Sequence, residues 1–122
     1  MNNTTTTPIS NTADIIYSSG VKARIADLAR YDGLSDAERR ELALLASFAE
    51  YARNNVPNWT LGVTMIRDSH FEDYAHELAV DLESISGDEH WPLNCIDWTQ
   101  AAQELRAKYT MVPFDGVEYW TR

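Results

Sequence analysis

Between Asp68 and Leu105 the chain carries ten carboxylates and neither lysine nor arginine. The acids are Asp68, Glu72, Asp73, Glu77, Asp81, Glu83, Asp88, Glu89, Asp97 and Glu104. Among them stand Phe71, Tyr74, Leu78, Leu82, Trp91, Ile96 and Trp98. A window so rich in one sign can fold only if its apolar residues take one face and its charge another. An acidic tail without the apolar residues would stay solvated and unstructured. The interleaving therefore predicts a folded surface that holds its carboxylates in place. The full chain of 122 residues has 19 acidic and 10 basic residues and a formal net charge of −9, so nearly all of the imbalance lies in this window.

Helical projection gives the window a geometry. Ser69-His70-Phe71-Glu72 has the spacing of a capping box and predicts a helix running to Ile85. At about 100° per residue, Phe71, Tyr74, Ala75, Leu78, Leu82 and Ile85 share one side. Asp73, Glu77 and Asp81 line the other, with Glu72 and Glu83 on its shoulder. Each step of four residues rises about 6 Å, close to the spacing of phosphates along one nucleic-acid strand. Like charges at that spacing cost a few tenths of a kcal/mol each, and no lysine offsets them. A face that serves only solvation usually mixes signs.

The remaining pattern predicts an α+β fold: a small helical bundle packed on a short antiparallel C-terminal sheet or hairpin. Residues 1–11, rich in Asn and Thr, read as a flexible N-terminal arm. A first helix is expected within residues 13–31, interrupted at Ser18-Ser19-Gly20. Ser35 to Glu38 is another capping box, opening a helix to about Arg53 that stops at Asn54-Asn55-Val56-Pro57-Asn58. A short strand or turn follows over residues 59–66. Asp97, three residues before Gln100, caps a helix over about 98–108. Asp115-Gly116 between aromatic and apolar runs is a hairpin signal. The organisation expected is one domain over residues 12–122, with a helical module at 34–58 and an acidic α+β module at 59–122.

Composition narrows the function. One cysteine excludes an internal disulfide and suits a reducing cytoplasm; no run approaches the roughly 20 apolar residues of a membrane span. Excess negative charge opposes direct binding to nucleic acid or to an anionic membrane, and favours a cationic partner. Catalytic signatures are missing. No glycine loop could cradle a phosphate, and His76-Glu77 lacks the second histidine of a zinc helix because position 80 is Val80. His70, His76, His90 and Cys95 match no zinc spacing. Cys95 reads as a small buried hydrophobe, and the surrounding carboxylates would disfavour the thiolate that a nucleophile needs. No enzyme, metal or other cofactor is expected. Trp91, Tyr119 and Trp120 are the aromatic candidates for a partner or dimer contact.

Phe71-Glu72-Asp73-Tyr74-Ala75, Cys95-Ile96-Asp97-Trp98, Ala102-x-Glu104-Leu105 and the closing Tyr109-Thr110 to Asp115-Gly116-Val117-x-Tyr119 occur in an order that resembles the ArdA family of antirestriction proteins. The Leu34-Ser35 to Phe48 helix resembles that family's middle module, so the likeness spans residues 34–122. The family's N-terminal sheet module has no counterpart of full length here. Arg24, Arg30, Arg39, Arg40 and Arg53 also interrupt the negative charge in the N-terminal half.

The resemblance implies an anti-defence protein of a phage or plasmid. It would imitate bent DNA, usually as an elongated dimer, and occupy the DNA groove of a type I restriction-modification enzyme in the host cytoplasm. The ten acids would then stand in for phosphates. The same physics would suit inhibition of a CRISPR effector or another DNA-binding defence complex. An alternative of a different class is an adaptor or dimerisation module that docks through its aromatic hairpin.

Overall fold

The computed structural model describes residues 6–82, 86 and 88–122. Its elements are β1 (Ile15–Tyr17), α1 (Ser18–Ala29), α2 (Asp36–Asn55), β2 (Thr64–Arg67), α3 (Phe71–Asp81), α4 (Trp98–Arg106), β3 (Thr110–Phe114) and β4 (Val117–Thr121). Short 3-10 turns occupy Asp68–His70 and Leu93–Cys95. The four strands form one antiparallel sheet in the order β1-β2-β4-β3. The α+β class holds, and the sheet is larger than a C-terminal hairpin because β1 and β2 extend it.

Strand alternation divides the core in two. Ile16, Met65, Val112, Phe114 and Tyr119 point to one face, where Val21 of α1 and Leu45, Phe48 and Ala52 of α2 close over them. Ile66 points to the other face, with Phe71 and Ala75 of α3 and Ala102 of α4, and Trp120 packs beside them. Each helix pair therefore covers its own side of the sheet. On the first side Phe48 packs edge-on against Trp59 and Phe114, with ring centroids 5.8 and 4.9 Å away.

Local chemistry accounts for most element ends. The Ser35 side chain accepts from the Glu38 amide at 3.1 Å while Glu38 accepts from the Ser35 amide at 2.9 Å, the reciprocal box predicted. The hairpin turns at Asp115 (φ 49°) and Gly116 (φ 79°); two consecutive positive φ values are what the turn of that twist requires. Asp97 caps α4 by accepting from the Gln100 amide at 3.1 Å.

Three expectations change. Ile15 and Ile16 belong to a strand, not a helix, because they pair with Ile66 and Met65 of β2. Ser18-Ser19-Gly20 opens α1 instead of breaking it. First-turn amides lack helical partners in any case, and Ser18 uses this freedom: its amide donates to the Val63 carbonyl at 2.9 Å and its hydroxyl accepts from the Val63 amide at 2.7 Å. The capping box expected at Ser69 to Glu72 does not form. Ser69 lies inside the 3-10 turn, with its hydroxyl accepting from Arg67 Nη1 at 2.5 Å, and His70 stands before α3 without a side-chain cap.

Residues 6–9, within the span expected to be a flexible arm, lie along α1 and α2. Arg24 explains why. Its guanidinium, fully buried, meets Glu41 in a two-point pair, Nε to Oε2 at 2.8 Å and Nη2 to Oε1 at 2.9 Å. Its Nη1 donates to the Thr6 carbonyl at 2.9 Å, and the Thr6 amide donates to Asp27 at 2.9 Å. The Ile9 amide donates to Glu41 at 3.0 Å. Burial works against the Glu41 carboxylate, but Arg24 and the Ile9 amide outweigh it and hold its pKa below the ordinary value.

Glu41→Ala leaves a buried guanidinium short of its counter-charge. It should lower the unfolding free energy at pH 7 by about 3 kcal/mol in urea denaturation. A depressed carboxylate pKa contributes stability above its unfolded value of about 4.3, and that stability is lost as pH falls through the folded value. The gap between parent and variant should therefore narrow below about pH 4. An unchanged gap down to pH 3 would count against this account.

Candidate functional site: an acidic face on the third helix

The outward charge of α3 follows from what its other side buries. Phe71 and Ala75 are buried, and Tyr74 and Leu78 are half-buried. The Phe71 ring stands edge-on to Tyr109 and Trp120, with centroids 5.3 and 6.2 Å away. The Tyr74 and Tyr109 hydroxyls share a hydrogen bond of 2.7 Å, and burial pushes the Tyr74 pKa upward. With that side committed, Glu72, Asp73, Glu77 and Asp81 are exposed, as the projection predicts. Asp73, Glu77 and Asp81 take part in no ion pair among the described residues. Glu72, on the shoulder, accepts from the Thr99 hydroxyl of α4 at 3.1 Å.

The helix ends sooner than its apolar period predicts. Asp81 is the last helical residue and Leu82 follows as an exposed cap. Glu83 and Ile85 lie outside the described residues. The apolar stripe that docks α3 therefore runs from Phe71 to Leu78.

The other acids divide by what they touch. Asp68 is a structural group. Its Oδ1 accepts from Trp120 Nε1 at 2.9 Å and lies 3.0 Å from Arg106 Nε, and its carbonyl accepts from Arg106 Nη2 at 3.1 Å. A carboxylate held by a cation and an indole of its own fold is no longer a free phosphate substitute. Asp97 is exposed while capping α4, and Glu104 and Asp88 are exposed. The Ser86 hydroxyl donates to Glu89 at 2.8 Å and reaches Asp88 at 3.3 Å.

The aromatic candidates separate sharply. Tyr119 is fully buried in the core, where its hydroxyl donates to the Ala13 carbonyl at 2.6 Å; it cannot reach a partner. Trp120 is half-buried beneath α3 and α4, with its indole N–H on Asp68. Trp91 is 79% exposed. Adjacent strand residues must point to opposite faces, and here both faces are covered, so Tyr119 and Trp120 each enter a core.

Sequence reasoning missed the way α4 and its lead-in brace the acidic helix. His76 lies between Glu72 and the ridge on the projection, and its ring packs edge-on to Trp98 at 4.6 Å. Around it, Asp88, Leu93 and Ile96 line a crevice of about 190 Å³. Cys95, expected to be buried, is exposed, with its thiol 3.4 Å from Asn94 Oδ1. Among the described residues no cluster of three or more His, Cys, Asp or Glu could hold a metal ion, and no helix is long and apolar enough to cross a membrane.

Comparison with protein-family models, curated proteins and solved structures finds no match to this chain. The geometry of the acidic face is what bears on function.

Removing charge should separate the two kinds of acid. Asp68→Ala, at a partly exposed pair, should cost about 1 kcal/mol in urea denaturation. Asp73→Asn, Glu77→Gln and Asp81→Asn together should leave stability unchanged within about 0.5 kcal/mol or raise it, by relieving like-charge repulsion. A large loss in the triple variant would show that these side chains hold the fold.

Proposed function

We propose that this protein is a DNA mimic of phage or plasmid type that blocks the DNA-binding groove of a host defence enzyme. The observation that carries the reading is the row Asp73, Glu77 and Asp81: outward, without ion pairs among the described residues, and repeating at about 6 Å per step on a rigid helix. Exposed Glu72 flanks the row, and Asp97 and Glu104 add charge from the neighbouring helix. A groove built to neutralise phosphates with Lys and Arg gains the same electrostatic attraction from this face. Inhibition is competitive occupation, with no bond made or broken.

The ArdA resemblance supplies the target class, a type I restriction-modification enzyme acting in the bacterial cytoplasm. A CRISPR effector with a comparable groove is the alternative target. The mimicking set is smaller than the ten acids of the sequence, since Asp68 serves the fold. On this reading a second copy would lengthen the charged row, as the dimers of that family do. The adaptor reading through the hairpin aromatics is less favoured, because Tyr119 faces the core.

Reversing Glu72, Asp73, Glu77 and Asp81 to lysine should abolish inhibition of DNA binding by a type I restriction-modification enzyme while leaving the far-ultraviolet circular dichroism unchanged. Binding of the parent protein should weaken steeply between about 50 and 200 mM salt. Full inhibition by the reversed variant would sink the proposal.

A further inference from the structure

The acidic surface carries an exposed indole that charge mimicry does not explain. Of the four tryptophans, Trp59 is buried and Trp98 and Trp120 are half-buried, whereas Trp91 is 79% exposed. Its segment is held in shape: the Asn94 amide donates to the His90 carbonyl at 3.2 Å and the Cys95 amide to the Pro92 carbonyl at 3.0 Å. Leu93, two residues on, is 56% exposed. Leu93 lines the crevice beside His76 of α3, and so sets this turn next to the helix that bears the acid row. Asp88 and Glu89 line the same crevice as Leu93 and stand three and two residues before Trp91, an acidic border to this turn.

We propose that Trp91, with Leu93 beside it, is an apolar anchor that enters a hydrophobic pocket bordered by cationic side chains on the partner protein. This inference rests on the mimicry reading and names what that reading lacks. A polyanionic face alone would fit any cationic groove. A tryptophan side chain contributes 150–250 Å² of burial by general measure, about the largest any residue offers, and tryptophan is enriched among the few side chains that dominate interfaces. The acidic border selects a pocket with Lys or Arg at its rim and disfavours an acidic one. Acids would govern long-range attraction and its salt dependence, and Trp91 would govern how long the complex lasts.

The test measures displacement of a DNA duplex from a purified type I restriction-modification methyltransferase complex over a range of salt. It compares the parent, Trp91→Ala, Trp91→Phe and the triple neutral variant of Asp73, Glu77 and Asp81. Trp91→Ala should raise the inhibitory concentration at least tenfold with the slope against log salt unchanged, and Trp91→Phe should recover most of the loss. The triple variant should instead flatten the slope. Thermal melting of the Trp91 variants should match the parent, as suits an exposed side chain. Trp91→Ala within twofold of the parent, while the triple variant fails, would overturn the anchor and leave the mimicry reading standing. A parent that does not displace DNA, or a triple variant as potent as the parent, would overturn both.

Discussion

One carboxylate joins three elements of this fold. Asp68, at the junction of β2 and α3, takes a hydrogen bond from Trp120 of β4 and pairs with Arg106 in the last turn of α4. The Arg106 guanidinium in turn lies over the Phe71 ring at 4.8 Å and the Trp120 ring at 5.9 Å. Sheet, α3 and α4 thus meet at one ion pair roofed by aromatic rings. This junction fixes the direction in which α3 leaves the sheet. Since that direction decides which side of α3 is wet, the acid row depends on a residue that is not itself free to bind.

The row is sustained against a small electrostatic cost. Repulsion between neighbouring carboxylates amounts to a few tenths of a kcal/mol per pair, whereas full burial of a residue such as Phe71 contributes about 2–3 kcal/mol. Glu72 and Asp73 stand in the first turn, where the helix dipole favours them. Asp81 stands at the other end, where the dipole opposes it, and the last turn has no basic residue. Helix stability alone would favour lysine at that position. The surplus of acid is thus not what the fold requires, which is the physical reason to look for its role in binding.

Much of this arrangement was legible in sequence because the signals are local. The Ser35 box and the Asp115-Gly116 turn involve residues one to three apart, and the exposed acids of α3 follow from helical period alone. What was not legible depends on partners far along the chain. Three residues, Ile15 to Tyr17, become a strand only through pairing with residues 64–66, and Ser18 joins α1 with its hydroxyl on Val63. Asp68 resembled every other acid until Arg106 and Trp120 were brought to it. Ser69 carried a capping signal, but Arg67 engaged its hydroxyl first. The opposed fates of Tyr119 and Trp120 were partly readable, since neighbours on a strand face opposite ways; that both faces were covered was not.

The separation of the helices onto two sides of the sheet also has an electrical consequence. The segment of α1 and α2, residues 18–55, carries six acids and six bases, while residues 68–106, which hold α3 and α4, carry ten acids and one base, Arg106. The molecule is therefore a dipole as well as an anion. In the field of a cationic cleft it would experience a torque that turns α3 and α4 forward before contact. Encounters would begin already oriented, which raises the fraction of productive collisions and is lost as salt shortens the reach of the field.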